Sequence, residues 1–560
     1  MRRTTFTIAG LGLVIIGVFL GQLYTDSIPE PDAEATDKLR AAYELIRQAY
    51  VAPVAPDSLA RTSIRGMMEP LDAYSVYISA DRMREVEETF QGSFEGIGIT
   101  YELIDGAQEQ DTIYVVSVRP GGPSAKAGLR SGDRIVRVAG ESAVGWSHEQ
   151  IRRRLKGPEG SSVTVQLRRP GRSGPFTTTI TRDEVPLQTV EAQYLTPDST
   201  GYIRLSHFAR TTHRELTEAL EVLDRQGMTR LILDLRGNAG GLMSMAEKVA
   251  DEFLVDGQLI VRSKSRHDAY GGARYASAEG RFEARPLIVL VNEHSASASE
   301  IVAGALQDHD RALLVGRRTF GKGLVQRQFD LRDGSGLRLT VARFYTPSGR
   351  LLQRTDADGR DSLVVEAVGP EAIDRAELPD SLLHRTDAGR RVIGGGGIFP
   401  DRIVNRDTSR SYRRVVDRRG HIREFARRWI DAHATGLRNE WGGRPQAFLD
   451  HFSLPSTVYP AFVRYAAERG VRSAPPVVSG PEVAQPRSGE ADSDGPGPFS
   501  RAEVNAARSA IETLVKSHVA QRLYGPALSI RVRNRIDSVF ETAQQSWDTA
   551  ANWARRYPVE

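Results

Sequence analysis

Cysteine is absent from all 560 residues of the chain, and its absence removes several kinds of chemistry. Disulfide bonds, thiolate metal sites and cysteine nucleophiles are excluded. A strong charge imbalance is also lacking, because 75 basic residues are set against 71 acidic residues and leave a net charge of +4. That balance does not suggest a nucleic-acid-binding protein. No histidine–carboxylate set has convincing zinc spacing, so the sequence does not predict a metal centre.

The composition is that of a globular protein of several domains, with 40% hydrophobic and 26% charged residues. At the N-terminus, Arg2 and Arg3 precede an uncharged apolar run over residues 8–20. A positive start followed by a short apolar core is typical of an export signal. A comfortable membrane span takes ~20 residues, and an extension to residue 24 approaches that length. We expect residues 1–25 to form an uncleaved anchor, with a cleaved signal as the alternative, and the rest to lie on the periplasmic side of the cell envelope.

Periodicity and turn residues divide the chain into segments of different character. Helical spacing, short β-rich runs between Gly/Pro turns, and nearly unbroken apolar strands each mark a separate region. The predicted segments are the signal or anchor (1–25), an N-terminal helical region (37–90), a small β-domain (92–184), an α/β region (185–405), a helical extension (410–472), a disordered linker (473–499) and C-terminal helices (500–560).

The α/β region alternates strand-like and helix-like runs. A Pro/Gly/Ser-rich composition marks the later linker, and a capping box at Ser500-Arg-Ala-Glu503 opens the last helices. Paired strands with an Asp333-Gly-Ser-Gly336 turn are predicted over residues 322–354. The other candidates are strands over residues 201–205, 230–235, 287–291 and 312–315, and helices over residues 212–226, 243–253 and 297–307.

Two short segments carry the residues of greatest chemical interest. Val291-Asn-Glu-His-Ser-Ala-Ser-Ala-Ser-Glu300 ends an apolar run and opens a helix, while Gly321-Lys-Gly-Leu-Val-Gln326 places one lysine between two glycines. A serine hydroxyl is a poor nucleophile until a base takes its proton, and a lysine is such a base only when it is neutral. Few charges surround Lys322, which suits a partly apolar niche. The segments therefore predict a serine nucleophile with a lysine base.

Ser297 is the best-placed nucleophile of the three serines. Glu300 follows at capping-box spacing, so Ser297 should begin a helix, where the dipole and free N–H groups favour negative charge. The N–H of Ala298 is then a natural oxyanion donor. Taken alone, a Ser/Ala run more often serves only as a tightly packed helix start. The loop Gly237-Asn-Ala-Gly-Gly241 shifts that balance, because it is able to bring a second N–H to the same oxyanion.

Five segments together resemble the carboxyl-terminal processing peptidases, also called tail-specific proteases. They occur in the family's order and spacing, over about residues 40 to 405. The resemblance implies a crotonase/ClpP-like α/β core with an inserted PDZ domain and flanking helical regions. The segments are D-L-R-G-N-A-G-G, V-N-E-H-S-A-S-A-S-E-I, G-R-R-T-F-G-K-G-L-V-Q, A-R-F-Y-T-P-S-G-R and G-G-I-F-P-D.

The resemblance also assigns roles to residues that match the family's motifs. It implies that Ser297 is the nucleophile, that Lys322 is its general base and that Gln326 orients Lys322. Gly240 and Ala298 would donate to the oxyanion. Ala239 stands where the family commonly has proline, and we expect little effect.

The β-domain is similar to the family's PDZ domain. Gly96-Ile-Gly-Ile99 looks like its carboxylate-binding loop, which makes Gly96, Ile97, Gly98 and Ile99 candidate substrate-binding residues. Such a loop offers consecutive N–H groups to a terminal carboxylate while the peptide adds as a strand. The alternative is a Gly-rich hairpin in a domain that only packs.

Other interpretations are weaker. Gly316-Arg-Arg-Thr-Phe-Gly-Lys-Gly323 nearly spells a phosphate-binding P-loop, but it lacks the final Ser or Thr and a following helix. Gly237-Asn-Ala-Gly-Gly241 resembles a trypsin-type nucleophile motif with alanine in place of serine, yet such envelope proteases carry their PDZ domain after the catalytic domain. A pair of His294 with a nearby serine is weakly supported. A non-catalytic PDZ scaffold of the cell envelope is the main alternative, and the presence of both Ser297 and Lys322 argues against it.

We therefore expect a serine endopeptidase that needs no metal and no cofactor. Its partners would be proteins or peptides with accessible C-termini, and the resemblance also implies a possible adaptor, gating by the PDZ domain and a homo-oligomer. The helices of residues 37–90 and 410–560 are candidates for oligomer contacts. Natural substrates and tail preference are not evident from the sequence.

Overall fold

The computed structural model describes residues 33–104, 112–277, 279–354, 382–406, 411–473 and 498–556. The predicted anchor, and nearly all of the predicted linker, lie outside these residues. Within the described part of the chain, no helix combines the length and hydrophobicity of a membrane span. The chain divides into two compact units, one formed by the residues up to Ala80 with Gln326–Thr340, the other by Asp81–Val325 with the residues from Val341 onward.

The first unit contains helices α1 (Ala33–Ala49) and α2 (Pro56–Met68) and strand β1 (Val76–Ile78). β1 pairs antiparallel with residues 336–338. The sequence predicted only helix across residues 37–90, and this is wrong at β1. The run Val-Tyr-Ile has β-branched residues at both ends, and a strand partner far along the chain outweighs the helical spacing of its neighbours.

The second unit begins with the predicted β-domain. Its main sheet is antiparallel, in the order β3-β4-β5-β7-β8, with β6 beside β5, and β3 lies at the sheet edge. A separate ladder of β2 with β9 joins the two chain segments that enter and leave the domain. The elements are α3 (Ala80–Gln91), β2 (Ser93–Gly96), β3 (Ile99–Ile104), β4 (Thr112–Val118), α4 (Pro123–Lys126), β5 (Arg134–Val138), β6 (Glu141–Ser142), α5 (His148–Leu155), β7 (Ser162–Arg168), β8 (Phe176–Thr181) and β9 (Asp183–Pro186).

The α/β region forms a six-stranded sheet in the order β10-β11-β12-β15-β16-β21. Only the β10–β11 pair is antiparallel, as expected for strands joined by helical crossovers. The four single strands and the three helices predicted for this region are confirmed within two residues at each end. The paired strands predicted over residues 322–354 occupy Leu324–Asp330 and Gly336–Tyr345. The second strand ends well before residue 354, because a turn closed by the Gly349 N–H and the Thr346 carbonyl follows it. The elements are β10 (Val190–Leu195), β11 (Thr200–Leu205), α6 (Thr212–Arg225), β12 (Arg230–Asp234), α7 (Met243–Asp251), β13 (Leu259–Lys264), β14 (Gly272–Tyr275), β15 (Leu287–Val291), α8 (Ala298–Asp308), β16 (Leu313–Gly316), β17 (Leu324–Asp330), β18 (Gly336–Tyr345), β19 (Leu383–Arg385), β20 (Arg391–Ile393) and β21 (Arg402–Ile403).

Over its described residues, the C-terminal part consists of helices, which do not form a separate layer. Its early helices form their own apolar core, whereas the last three pack Ile530, Val539 and Trp547 against one face of the six-stranded sheet. Helices α6 to α8 cover the other face, so the strands are buried on both sides. The elements are α9 (Tyr412–Arg418), α10 (His421–Trp441), α11 (Pro445–His451), α12 (Val458–Glu468), α13 (Arg501–Ala506), α14 (Arg508–Tyr524), α15 (Pro526–Arg533), α16 (Ser538–Gln544) and α17 (Trp547–Arg556).

Candidate active site

Ser297 lies at the turn between β15 and α8. Its φ of 54° and ψ of −112° fall where non-glycine residues are rare, and such backbone strain costs on the order of 1–3 kcal/mol. Every residue of α8 is buried, as is Ala296, whereas Ser297 itself is only half-buried. The turn therefore presents one hydroxyl-bearing side chain towards solvent from an otherwise closed segment.

The two neighbouring serines are engaged in other contacts. Ser295 donates its hydroxyl to the Leu235 carbonyl at 2.8 Å, and Ser299 donates to the Asn238 carbonyl at 2.8 Å. Both side chains are fully buried. These bonds anchor the segment to the loop after β12, and they leave Ser297 as the accessible serine of the three, the one the sequence singled out.

Gly240, in the loop after β12, packs directly on this turn. A Cβ built on Gly240 would lie 2.8 Å from the Ala296 carbonyl oxygen and 2.9 Å from the Ser297 Cβ, closer than real side chains approach. The Gly240 φ of +100° is also a glycine conformation. Only glycine fits here, so the approach of the two loops depends on this residue.

Of the two N–H groups predicted to donate to the oxyanion, one is open and the other already has an acceptor. The Ala298 N–H donates to no acceptor among the described residues, as expected for the first residue of a helix. The Gly240 N–H instead donates to the Asn238 Oδ1 at 2.9 Å, and the Asn238 amide donates to the Leu205 carbonyl at 3.1 Å. This is an asparagine turn, in which a side-chain oxygen takes the N–H two residues on. The sequence did not indicate that Asn238 would hold this amide.

Glu300 joins the serine turn to the lysine loop. One carboxylate oxygen, Oε2, accepts the N–H of Ser297 at 2.8 Å and the N–H of Lys322 at 2.9 Å. The two backbone nitrogens are therefore no further apart than the sum of these distances. The other oxygen, Oε1, accepts the Gly321 N–H at 2.7 Å and the Thr319 hydroxyl at 2.6 Å. The predicted capping contact to Ser297 is confirmed, but its extension to the lysine loop was missed.

The electrostatics of Glu300 follow from its complete burial. Loss of hydration raises the pKa of this carboxyl, while the hydrogen bonds from Thr319, Lys322, Gly321 and Ser297 oppose the rise. The three backbone N–H groups are only able to donate, so both carboxyl oxygens act as acceptors. The carboxyl thus serves as the common acceptor that shapes both loops.

Gln326 belongs to the first unit. Its side-chain amide donates to the Tyr74 carbonyl at 2.6 Å. The role that the resemblance gives it, the orientation of Lys322, stays a prediction.

The predicted tail-binding loop lies between β2 and β3. Gly96, Ile97 and Gly98 are buried, and the N–H groups of Ile97 and Gly98 donate to no acceptor in the described chain. Their carbonyls are used instead, by the N–H groups of Ser124 and Arg119. Buried N–H groups normally have partners, so this loop is suited to receive acceptor oxygens from a ligand.

Helix α5 lies beside the edge strand β3. Tyr101 of β3 contacts His148 at the start of α5, with ring centroids 5.6 Å apart. An extended peptide that adds to β3 would therefore run between this strand and α5. Over the described residues, no group of three or more acidic or histidine side chains is placed to hold a metal ion.

Comparison with known proteins gives consistent matches along the chain. The model of peptidase family S41 matches residues 199–359, a PDZ domain model matches residues 114–169, and the model of the activating protease CtpB N-terminal domain matches residues 23–82.

Individual relatives match more than half of the chain. Carboxy-terminal processing protease CtpA of Bacillus subtilis is 36% identical over 346 residues, which are 61% of this chain and 69% of the relative. The carboxy-terminal-processing protease of Bartonella bacilliformis is 33% identical over 359 residues, 63% of this chain and 80% of the relative. A solved structure of the photosystem II D1 C-terminal processing protease is 31% identical and covers 66% of this chain and 86% of its own, with a TM-score of 0.34. That score is too low to add an argument.

An S41 peptidase core, a PDZ domain and relatives of this similarity together identify the class of protein. The chain belongs to the family of carboxy-terminal processing proteases, which are PDZ-containing serine proteases.

Proposed function

We propose that this protease cleaves peptide bonds with a Ser297–Lys322 dyad after its PDZ domain has captured the C-terminal tail of a substrate. The single observation that carries the proposal is the Glu300 oxygen shared by the N–H groups of Ser297 and Lys322. That bridge holds the backbone of a strained, accessible serine close to the backbone of a lysine. The two neighbouring serines are hydrogen-bonded to carbonyls elsewhere.

In the proposed reaction, the Ser297 hydroxyl attacks the scissile carbonyl as Lys322 takes its proton. The negative charge on the tetrahedral oxygen is met by the Ala298 N–H. Lys322 then returns the proton to the leaving amine. In the second half of the reaction, water attacks the acyl-enzyme as Lys322 takes its proton, and that proton returns to the Ser297 oxygen as the acid product leaves. Gln326 would orient Lys322. Gly240 contributes as the second donor only when its N–H leaves Asn238, so assembly of the oxyanion site requires a local rearrangement of this loop.

The tail would bind along the edge of β3. Its terminal carboxylate would accept the N–H groups of Ile97 and Gly98, and its backbone would extend the sheet. The open N–H groups of the loop and the edge position of β3 support this proposal. Coupling of tail capture to rearrangement at Gly240 would make the PDZ domain a gate.

We further propose export, membrane anchoring through residues 8–24 and self-association. The basic and apolar N-terminal sequence supports export and anchoring, and cell fractionation with protease accessibility tests them.

Exposed apolar side chains on α1 and α2, among them Leu39, Leu45 and Ile46, support self-association. Sedimentation of the chain with Leu45→Asp against wild type tests it.

Digestion of an unstructured protein by wild type, Ser297→Ala and Lys322→Ala tests the dyad. We expect cleavage by wild type alone, with a loss of at least ~1000-fold in both variants, because nucleophile and base act as one unit. Clear cleavage by either variant contradicts the proposed chemistry.

The same assay with an added tail peptide tests capture. A free-acid peptide should raise turnover, whereas its C-terminal amide should not, because the amide lacks the carboxylate that the loop would bind. If peptides bind equally to all three proteins and nothing is cleaved, the protein is a PDZ scaffold.

A further inference from the structure

One cleft of the protein shares no lining residue with the candidate active site. It is a cleft of about 600 Å³ between strands β3 and β4 of the PDZ domain and the C-terminal helices. Six arginines line it against two carboxylates, an excess of four positive charges. The arginines are Arg418, Arg419, Arg423, Arg427, Arg522 and Arg533, and the carboxylates are Glu102 and Asp417. We call this site the arginine cleft.

Ion pairs neutralise only part of this charge. Arg423 lies 3.8 Å from Glu102, and Arg522 lies 3.2 Å from Asp431 behind the cleft. Within the described chain, no carboxylate lies within 4 Å of the other four arginines, Arg418, Arg419, Arg427 and Arg533. Like charges held together in one cleft repel each other, and nothing in the catalytic proposal requires them.

The inner end of the cleft is fixed in position. The side chain of Arg522 is only 7% exposed, and its Nε is buried without a hydrogen-bond partner. Arg427 and Arg522 both lie over the Tyr114 ring, at 5.7 and 5.6 Å from its centroid. Burial, together with the charges of Arg533 and Arg423, lowers the pKa of His518 in the same cleft to about 4, so this ring is neutral at pH 7.

We propose that the arginine cleft binds a small anion that carries two or more phosphate groups. The planar guanidinium fork matches phosphate oxygens in pairs, and arginine is the usual residue for such recognition. The cleft volume falls within the range of ~300–1,000 Å³ typical of small-molecule sites. A single carboxylate would leave most of the positive charge unmatched, whereas a di- or triphosphate neutralises it.

Such a ligand would hold the PDZ domain against the helical extension. Glu102 and Tyr114 come from neighbouring PDZ strands, while the arginines come from α9, α10, α14 and α15 and the turn between α9 and α10. Glu102 lies on β3, the edge strand proposed to receive the substrate tail. An effect of the ligand on tail capture therefore rests on the proposed function, whereas binding itself does not.

Calorimetric titration of the full chain with sodium tripolyphosphate, at constant ionic strength, tests the proposal. We expect saturable one-to-one binding that is weakened at least tenfold in Arg418→Gln/Arg533→Gln, which removes one charge contributed by α9 and one contributed by α15. The matched control is Arg153→Gln/Arg501→Gln, which removes two exposed arginines outside it. Thermal melting verifies that both double variants are folded.

The outcomes are distinguishable. Absence of binding overturns the proposal, and so does equal weakening of binding in the control variant. Tighter binding of a hexaglutamate peptide than of tripolyphosphate also overturns it, because the site would then be one for acidic polypeptide. Vesicles of phosphatidylglycerol, compared with phosphatidylcholine, separate a lipid headgroup from a free phosphate compound as the source. A titration with Ser297→Ala separates this site from the catalytic proposal, since that variant should bind tripolyphosphate as wild type does.

Discussion

At the scale of single residues, hydrogen bonds decide which serine is presented. Ser295 and Ser299 are committed to carbonyls of the loop after β12, whereas Ser297 is held by its N–H and keeps its side chain accessible. Chain spacing suggested Ser297 through its place before a helix. The hydroxyls of the other two serines find their acceptors in a loop about sixty residues earlier in the chain. No local sequence pattern specifies these hydrogen bonds.

Glu300→Gln tests the bridge between the two loops. Glutamine keeps one acceptor oxygen and turns an NH₂ group towards N–H donors, so we expect a loss of about 2 kcal/mol in the free energy of unfolding. We also expect at least a tenfold slower reaction of Ser297 with a fluorophosphonate in the folded protein, since the serine turn and the lysine loop lose their common acceptor.

Val302→Ala is the matched control for this change. Val302 is fully buried in the same helix, and its truncation destabilises the protein without touching either loop. Its folded fraction should be labelled at the wild-type rate. Labelling of Glu300→Gln at that same rate would show that Glu300 supports folding only.

At the scale of elements, one carboxylate links three neighbouring parallel strands. Glu293 follows β15 and pairs with Arg317, just after β16, at 2.8 Å and with Arg406, just after β21. Partial burial favours the protonated carboxyl, but the hydrogen bond from Arg317 and the two positive charges lower the pKa of Glu293 to about 2. The sequence placed the strands correctly, yet these ion pairs arise only from their order in the sheet.

This lowered pKa predicts a pH dependence of stability. The carboxyl titrates near 4.5 when unfolded and near 2 when folded, so its stabilising contribution is present above pH 4.5 and is lost as the pH falls towards 2. Because the group is about one-third exposed, we expect only on the order of 1 kcal/mol.

Urea unfolding of Glu293→Gln across this pH range checks the prediction. The variant should be less stable than wild type at pH 7 and equal to it near pH 2. Glu149→Gln, an exposed carboxylate on α5, is the control and should follow wild type throughout. A constant difference between Glu293→Gln and wild type at every pH would contradict the assignment.

At the scale of the whole molecule, the C-terminal helices complete the catalytic core. Ile530, Val539 and Trp547 cover sheet residues that include Tyr202 and Ile288, both fully buried. The fold class, the inserted PDZ domain and the positions of the core strands along the chain were predicted from the sequence. That the last helices return to the core sheet was not, because amphipathic helices alone do not indicate which surface they cover.

Trp547→Ala tests this arrangement. The side chain is 6% exposed, and loss of a buried tryptophan typically costs about 3–5 kcal/mol of unfolding free energy. We expect the transition of the whole core to shift by that amount in denaturant. Tyr275→Ala removes an exposed aromatic ring and should change stability by less than about 0.5 kcal/mol. A core transition unchanged in Trp547→Ala would mean that these helices unfold as an independent module.

The sequence by itself determined the α/β core and the inserted β-domain, and it singled out a helix-start serine and an isolated lysine as the candidate dyad. These features depend on local periodicity, on turn residues and on short motifs, all of which are written in neighbouring positions. Only the tertiary structure decided that Glu300 joins the serine and lysine loops, that Asn238 holds the Gly240 amide and that six arginines meet in one cleft. Each of these features depends on groups far apart in the chain. Burial and repulsion between like charges change the free energy of these groups only after folding brings them together.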